Sequence, residues 1–229
     1  MTAPIDTDKL IRWYDFQAPL YAWWRNRYDT VLVRYVTELI RRDPPRELLD
    51  AGCGTGLFTI ALARALPDRQ LHGVDLSAGM LSVAARAGRE RGLRNVHWLR
   101  ADVRALPYPA ESFDTVVAAG LLPNVNRRAA VLRELGRVLR PRGQLVLIEF
   151  DRSEMGAATR AFFKLMILGY RAVSAVFRRF RFADGWSIER STIDRDQLAC
   201  WAAEVGFRIA SAEPRGSHVV YRLDRGSRA

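Results

Sequence analysis

The stretch Glu47-Leu48-Leu49-Asp50-Ala51-Gly52-Cys53-Gly54-Thr55-Gly56 constrains this chain more than any other. Its first residues form an apolar run of the kind a parallel strand buried on both faces requires. Glycine then takes every second position, at 52, 54 and 56. With those Cβ atoms gone, the backbone can turn tightly and a ligand can lie directly against it. Leu57 to Leu66 (LFTIALARAL) carries apolar residues at helical spacing, so a helix opens where the turn ends. The free N–H groups and positive dipole end of that helix face whatever rests on the glycines.

The spacing is G-x-G-x-G, not the G-x-G-x-x-G of dinucleotide sites, and an acid, Asp50, precedes it. A carboxylate beside the turn repels a pyrophosphate and attracts a cation. S-adenosylmethionine (SAM) carries an ammonium and a sulfonium and no phosphate, so it suits this turn. Gln70 to Asp75 (QLHGVD) reads as a second strand ending in an acid. A carboxylate about 20 residues past the glycines can hold ribose hydroxyls. Ser77 is placed to cap the following helix. Val96 to Asp102, Phe113 to Ala119 and Gln144 to Phe150 read as third, fourth and fifth strands, with Arg137 to Gly143 closing the helix before the fifth. Strands alternating with helices imply a doubly wound α/β fold, a mostly parallel sheet with helices on both faces. Asp50, Asp75 and Asp102 then line its carboxyl edge, where open parallel sheets bind ligands.

At 229 residues the chain is expected to be one domain, with an N-terminal helical cap over 1–43 and a helical insertion over 151–190. Lys9 to Ile40 looks helical and aromatic, and Pro44-Pro45 marks the boundary with the core. A last helix, Asp194 to Val205, precedes two short strands, Arg208 to Glu213 and His218 to Leu223. The charge is +11 with a pI near 10.5, which favours anionic surfaces, either nucleic acid or membrane. No apolar leader and no uncharged stretch of membrane-spanning length is evident. The two cysteines, Cys53 and Cys200, have neither metal nor disulfide spacing. A cytoplasmic location, peripheral at the membrane if the basic surface meets one, and no metal are therefore expected.

The strand-end acids and the glycine turn resemble the class I SAM-dependent methyltransferases. The nearest resemblance is to the ubiquinone/menaquinone-biosynthesis C-methyltransferases and related small-molecule and lipid methyltransferases, and it runs over nearly the whole chain. The family's F-D-x-x-A-P-x-Y-D is matched by Tyr14-Asp15-Phe16-Gln17-Ala18-Pro19-Leu20-Tyr21-Ala22, with Tyr14 and Ala22 as departures. R-V-L-K-P-G-G is matched by Arg137 to Gly143, and E-F by Glu149-Phe150. The resemblance implies a seven-stranded sheet with an antiparallel terminal hairpin. It also implies a cofactor site at Tyr21, Asp50, Gly52, Cys53, Gly54, Thr55, Gly56, Asp75, Leu76, Asp102, Val103 and Ala119, where Asp102 would hold the adenine amino group. In the family's G-x-R-N-V, Asn124-Val125 matches, but Gly120 falls one place early and Pro123 replaces the arginine. That departure bears on a quinone ring as the substrate and leaves the fold and cofactor expectation unchanged.

Methyl transfer from a sulfonium is an in-line displacement in which the donor is already activated. The protein mainly positions the reactants and excludes water. A carbon or phenol acceptor needs a base; Glu149, Asp15 and Asp151 are the candidates, with Glu149 and Asn124 nearest the expected chemistry. Tyr14 and Tyr21, two helical turns apart, share a face. Tyr14, Asp15, Phe162 and Met166 are expected to meet substrate. The run Phe162 to Phe177 is apolar with Lys164 and Arg171 inside it, and Arg160, Lys164, Arg171 and Arg178 form one basic line. That pattern suits a lid over an apolar pocket, a membrane contact or a dimer contact. A hydrophobic small molecule or lipid-like acceptor is the leading expectation. A nucleic-acid substrate is disfavoured because Leu121 to Val125 offers no aromatic to stack a flipped base. A SAM-binding protein without activity is the third reading.

Overall fold

The computed structural model describes residues 5–28, 30–151, 156, 157, 161, 164, 165, 168, 169 and 192–225, with side chains at 23–28 excepted. Two helices come first, α1 (Thr7–Tyr28) and α2 (Thr30–Arg41). The core then runs β1 (Glu47–Ala51), α3 (Leu57–Ala65), β2 (Gln70–Asp75), α4 (Ala78–Glu90), β3 (Val96–Arg100) and β4 (Phe113–Ala119). A single 3-10 turn at Leu122–Asn124, α5 (Arg128–Val138) and β5 (Leu139–Phe150) follow. The described part closes with α6 (Arg195–Ala203), β6 (Phe207–Arg215) and β7 (His218–Arg225).

The seven strands form one sheet in the order β3-β2-β1-β4-β5-β7-β6. The first five are parallel, and β7 pairs antiparallel with both β5 and β6. This is the doubly wound fold with a terminal hairpin expected from the sequence. Strand order reverses between β1 and β4, and that switch point opens a crevice at the carboxyl ends of the two strands.

Adjacent residues of a strand point to opposite faces, so the pair Leu48-Leu49 feeds two core layers. Leu48, Val117, Val146 and Ile148 pack with Leu32, Val36 and Ile40 of α2 and with Phe58 and Leu62 of α3. Leu49, Val116, Leu145 and Leu147 pack on the other face with Leu132 and Leu135 of α5 and Leu198 of α6. The α2 side chains are four residues apart, which puts them on one stripe of a helix. Trp98 of β3 lies over Gly56, Gly73 and Gly88, where an added Cβ would meet its indole.

Four strands differ from the sequence reading: β6 and β7 run on to Arg215 and Arg225, and β3 and β5 change more. β3 stops at Arg100, so Asp102 lies in the loop beyond it. β5 begins at Leu139, not Gln144: Leu139 pairs with Phe113 and Gln144 with Thr115, while Arg140 to Gly143 bulge between them. Arg142 takes a positive φ of 66° in that bulge. The insertion expected over 151–190 lies outside the described residues except at Asp151 and seven further positions. Of those seven, 157, 161, 164, 165, 168 and 169 are helical, and all seven are exposed.

Candidate active site

The glycine turn builds one wall of a cleft. Gly52 and Gly54 both have positive φ, 74° and 54°, and both border the opening. A Cβ on Gly54 would meet nothing within 4 Å, so the space above it is free for a ligand. Gly56 is placed differently, since its Cβ position lies 2.8 Å from the Trp98 ring and 3.0 Å from Ala84. It packs α3 and the turn onto the neighbouring strand and does not face the cleft.

Asp75, at the end of β2, is tied to the turn. Its Oδ2 accepts from the Gly54 N–H at 2.8 Å and its Oδ1 from the Ser77 N–H at 2.8 Å. Each oxygen keeps a further lone pair for a ligand hydroxyl. Burial raises the Asp75 pKa; the N–H donors of Ser77, Gly54 and Leu76 oppose that rise, and the nearby Asp15 adds to it. Asp102 also borders the cleft. Arg104 grips it with Nη2–Oδ2 at 2.6 Å and Nε within 3.0 Å of both oxygens. That guanidinium holds the Asp102 carboxyl below the usual range.

Helix α1 forms the roof. Thr7, Leu10, Ile11, Tyr14 and Tyr21 face the cleft, and three sets of hydrogen bonds secure them. The Ser77 hydroxyl donates to Asp15 Oδ1 at 2.5 Å, and the Gly79 N–H donates to the same oxygen at 2.8 Å. Ser77 also caps α4 by accepting from the Met80 N–H at 3.1 Å. The contact is so close that a Cβ on Gly79 would sit 2.7 Å from the Asp15 Cα. Across the opening, Tyr14 donates to Asn124 Oδ1 at 3.1 Å, and Asn124 donates onward to the Gly120 carbonyl at 2.7 Å. Ile5 and Asn126 exchange two bonds of 2.8 and 2.9 Å. Tyr14 and Tyr21 meet edge to face, with ring centroids 6.1 Å apart. The whole cleft has an empty volume of about 870 Å³, open solvent at its mouth included.

Of the expected cofactor residues, Tyr21, Gly52, Gly54, Asp75, Leu76, Asp102, Val103 and Ala119 therefore surround one space. Asp50, Cys53, Thr55 and Gly56 lie beneath it. Asp50 is buried and accepts from the Thr59 hydroxyl of α3 at 2.5 Å, bracing the turn from below. Cys53 is a buried free thiol, and burial, with Asp50 and Asp75 adding to it, pushes its pKa well up. Of the expected chemical residues, Asn124 and Tyr14 border the cleft, whereas the candidate bases do not. Asp15 is committed to α4, and Glu149 is fully buried with Oε1 accepting from the Leu122 N–H at 2.9 Å. Asp151 is buried and bonded by the Tyr221 hydroxyl. Phe162 and Met166 lie outside the described residues.

Comparison with known proteins places the geometry. Residues 48–143 match the model of a methyltransferase domain. A demethylmenaquinone methyltransferase from a Geobacillus species (strain WCH70) is 32% identical over 170 residues, covering 71% of this chain and 70% of the relative. The demethylmenaquinone methyltransferase of Thermus thermophilus is 36% identical over 150 residues, covering 66% of this chain and 63% of the relative. This chain belongs to the ubiquinone/menaquinone-biosynthesis methyltransferase family. It is a class I SAM-dependent methyltransferase. Among solved structures, the 4+2 cyclase SpnF superposes with a TM-score of 0.69 at 20% identity, covering 99% of this chain and 98% of that one. That likeness extends to the fold only.

The methyltransferase has cleft residues that the sequence did not single out: Leu10, Ile11, Met80, Arg104, Leu121 and Asn126. Arg104 stands two places from Asp102, and that spacing was the available signal. Asn126 bonds a residue 121 positions away, so no local pattern could reveal it. Among the described residues, no three His, Cys, Asp or Glu side chains gather to hold a metal, and no helix is long and apolar enough to cross a membrane.

The loop bearing Asp102 is held from behind. Arg137 donates to the carbonyls of Leu106 and Tyr108 and pairs with Glu134, whose Oε1 accepts from the Leu106 N–H at 2.8 Å. The Arg137 guanidinium keeps the Glu134 carboxyl below its usual pKa. A lowered folded-state pKa gives stability above the ordinary glutamate value that is lost as pH falls through the lowered one. Glu134→Gln is expected to be less stable than wild type at neutral pH. The two proteins should converge in acid, as followed by circular dichroism in urea at stepped pH.

Proposed function

We propose that the cleft binds SAM with its ribose diol on Asp75 and its adenine beside Leu76 and Val103, the amino group reaching Asp102. The methionine portion lies along Gly52, Gly54 and Ala119, with Tyr21 above it. Asp50, Cys53, Thr55 and Gly56 serve the donor indirectly, by shaping the turn. The acceptor is a hydrophobic small molecule of quinone or lipid type. It enters on the side bounded by Leu10, Ile11, Leu121 and Val125, all of which border the same space as the acids. That juxtaposition of polar and apolar walls in one cleft carries the reading. The names of the relatives, which act on demethylmenaquinone, support the same acceptor class. Pro123, buried where related enzymes carry an arginine, offers an anionic ring substituent no charge.

Chemistry in such a site rests on placement, and because none of Asp15, Glu149 and Asp151 borders the cleft, the proton that a carbon or phenol acceptor loses goes to solvent at the mouth. Asn124, held by Gly120 and Tyr14, orients the acceptor, and Glu149 fixes the segment carrying Asn124 through the Leu122 N–H. Two reactants held in line at van der Waals contact gain about 7–11 kcal/mol over free encounter. The roof of α1 keeps water from competing. The test uses methyl-labelled SAM with a host-cell extract, partitioned between organic and aqueous phases. Enzyme-dependent label in the organic phase is expected. Label confined to the aqueous phase would replace the lipophilic acceptor with a polar metabolite or a nucleic acid.

A further inference from the structure

Helix α1 has two opposed faces. The one turned inward carries Leu10, Tyr14, Ala18 and Tyr21, buried or bordering the cleft. Turned the opposite way are Lys9, Arg12, Phe16, Pro19 and Leu20, all exposed. At about 100° per residue these five fall within roughly 100° of arc. Phe16 is 66% exposed and Leu20 68%. Large apolar side chains side by side on solvent cost free energy unless something covers them.

We infer that this outer face docks on an anionic lipid bilayer, with Phe16 and Leu20 entering the acyl region and Arg12 among the headgroups. Charge complementarity selects this occupant. The chain carries +11, and basic side chains near an anionic leaflet attract it at about 1 kcal/mol each. Lys9 adds less, since Asp6 pairs with it at 3.2 Å and Asp8 stands beside it. The exposed Lys164, Leu165 and Leu168 repeat the same chemistry on a second helix. The inference rests on the lipophilic acceptor proposed above: one helix would touch the bilayer with its outer face and cover the cleft with its inner one. An acceptor dissolved in the membrane would then reach the donor without crossing water.

The test is flotation of the full chain with phosphatidylglycerol/phosphatidylcholine vesicles and with pure phosphatidylcholine vesicles, neither SAM nor acceptor present. Wild type is expected to float with the anionic vesicles and much less with the neutral ones. Phe16→Ser/Leu20→Ser should weaken that binding at least tenfold while SAM affinity and circular dichroism stay at wild-type values. Arg12→Glu should erase the preference for anionic lipid. Three results would overturn the proposal: no vesicle binding by wild type, equal binding by the double variant, or loss of binding only in Leu165→Ser/Leu168→Ser. A wild-type dimer that the double variant converts to monomer would also overturn it, making the face a contact between copies. Because the assay needs no methyl transfer, its failure leaves the acceptor reading intact, and the partition experiment decides that separately.

Discussion

Asp75→Ala should bind SAM at least a hundredfold more weakly than wild type in a calorimetric titration, and turnover should fall with it. The carboxylate does two jobs. It holds the Gly54 N–H that shapes the turn, and on the proposed pose it accepts both ribose hydroxyls. Hydrogen bonds to a charged acceptor contribute about 1.5–3 kcal/mol each, so losing two accounts for the hundredfold. The pH dependence carries a further sign. Burial raises the Asp75 pKa, so the empty folded protein retains this proton to higher pH than the unfolded chain does. Stability of the empty protein therefore declines as pH rises from the ordinary aspartate value through the raised one. On the proposed pose SAM takes the ionised carboxylate, so the rise in melting temperature it confers should grow over that same interval. Asp75→Asn should lose that growth. An Asp75→Ala protein that binds SAM normally would remove the ribose assignment.

Two alanine substitutions in one turn should part in a telling way. Gly56→Ala forces a Cβ to within 2.8 Å of Trp98 and 3.0 Å of Ala84 at a φ of 80°. Left-handed backbone costs a non-glycine residue about 1–2 kcal/mol, and overpacking a core about 1–3 more. In a protein of this size that is a fall in melting temperature of about 10 °C. Gly54→Ala carries only the backbone cost, since its Cβ meets open space. That space is where SAM is proposed to lie, so Gly54→Ala should lose donor affinity while melting only a few degrees lower. Scanning calorimetry with and without SAM separates the two. Matched melting temperatures with unchanged affinities would put the donor elsewhere.

Much of this was legible in the sequence. β1, β2 and β4 span the residues read from the sequence, because the apolar side chains within them have to be buried between helices. The Arg140 to Gly143 segment differs from its expected role as the end of a helix. Proline and glycine there signal an interruption, and an interruption occurs, but it is a bulge inside β5 and not the end of a helix. Local composition marks where regular backbone stops without saying which element stops. Asp50 is a subtler case. Its place two residues from Leu48 put it on the α3 face of β1, so the period of two already pointed it toward Thr59 and away from the opening. What no pattern could supply is the roof. The partners of Ile5, Tyr14 and Asp15 lie 121, 110 and about 63 positions further along the chain, and only the folded sheet brings them together.

On the proposed pose, the two-sided attachment of α1 would make the donor a fastener for the start of the chain. SAM bound under the helix would touch residues from both ends of those long-range bonds, so its binding energy would be shared with the docking of the helix. On that pose, spent donor leaving the cleft would give up its contacts with the helix. Amide hydrogens along residues 7–22 should therefore exchange fastest in the empty enzyme and slow when donor or its demethylated product fills the cleft. A protease would find its first cut there in the empty form. The two Asp15 bonds to the start of α4 would then hold the donor in as well as the helix down.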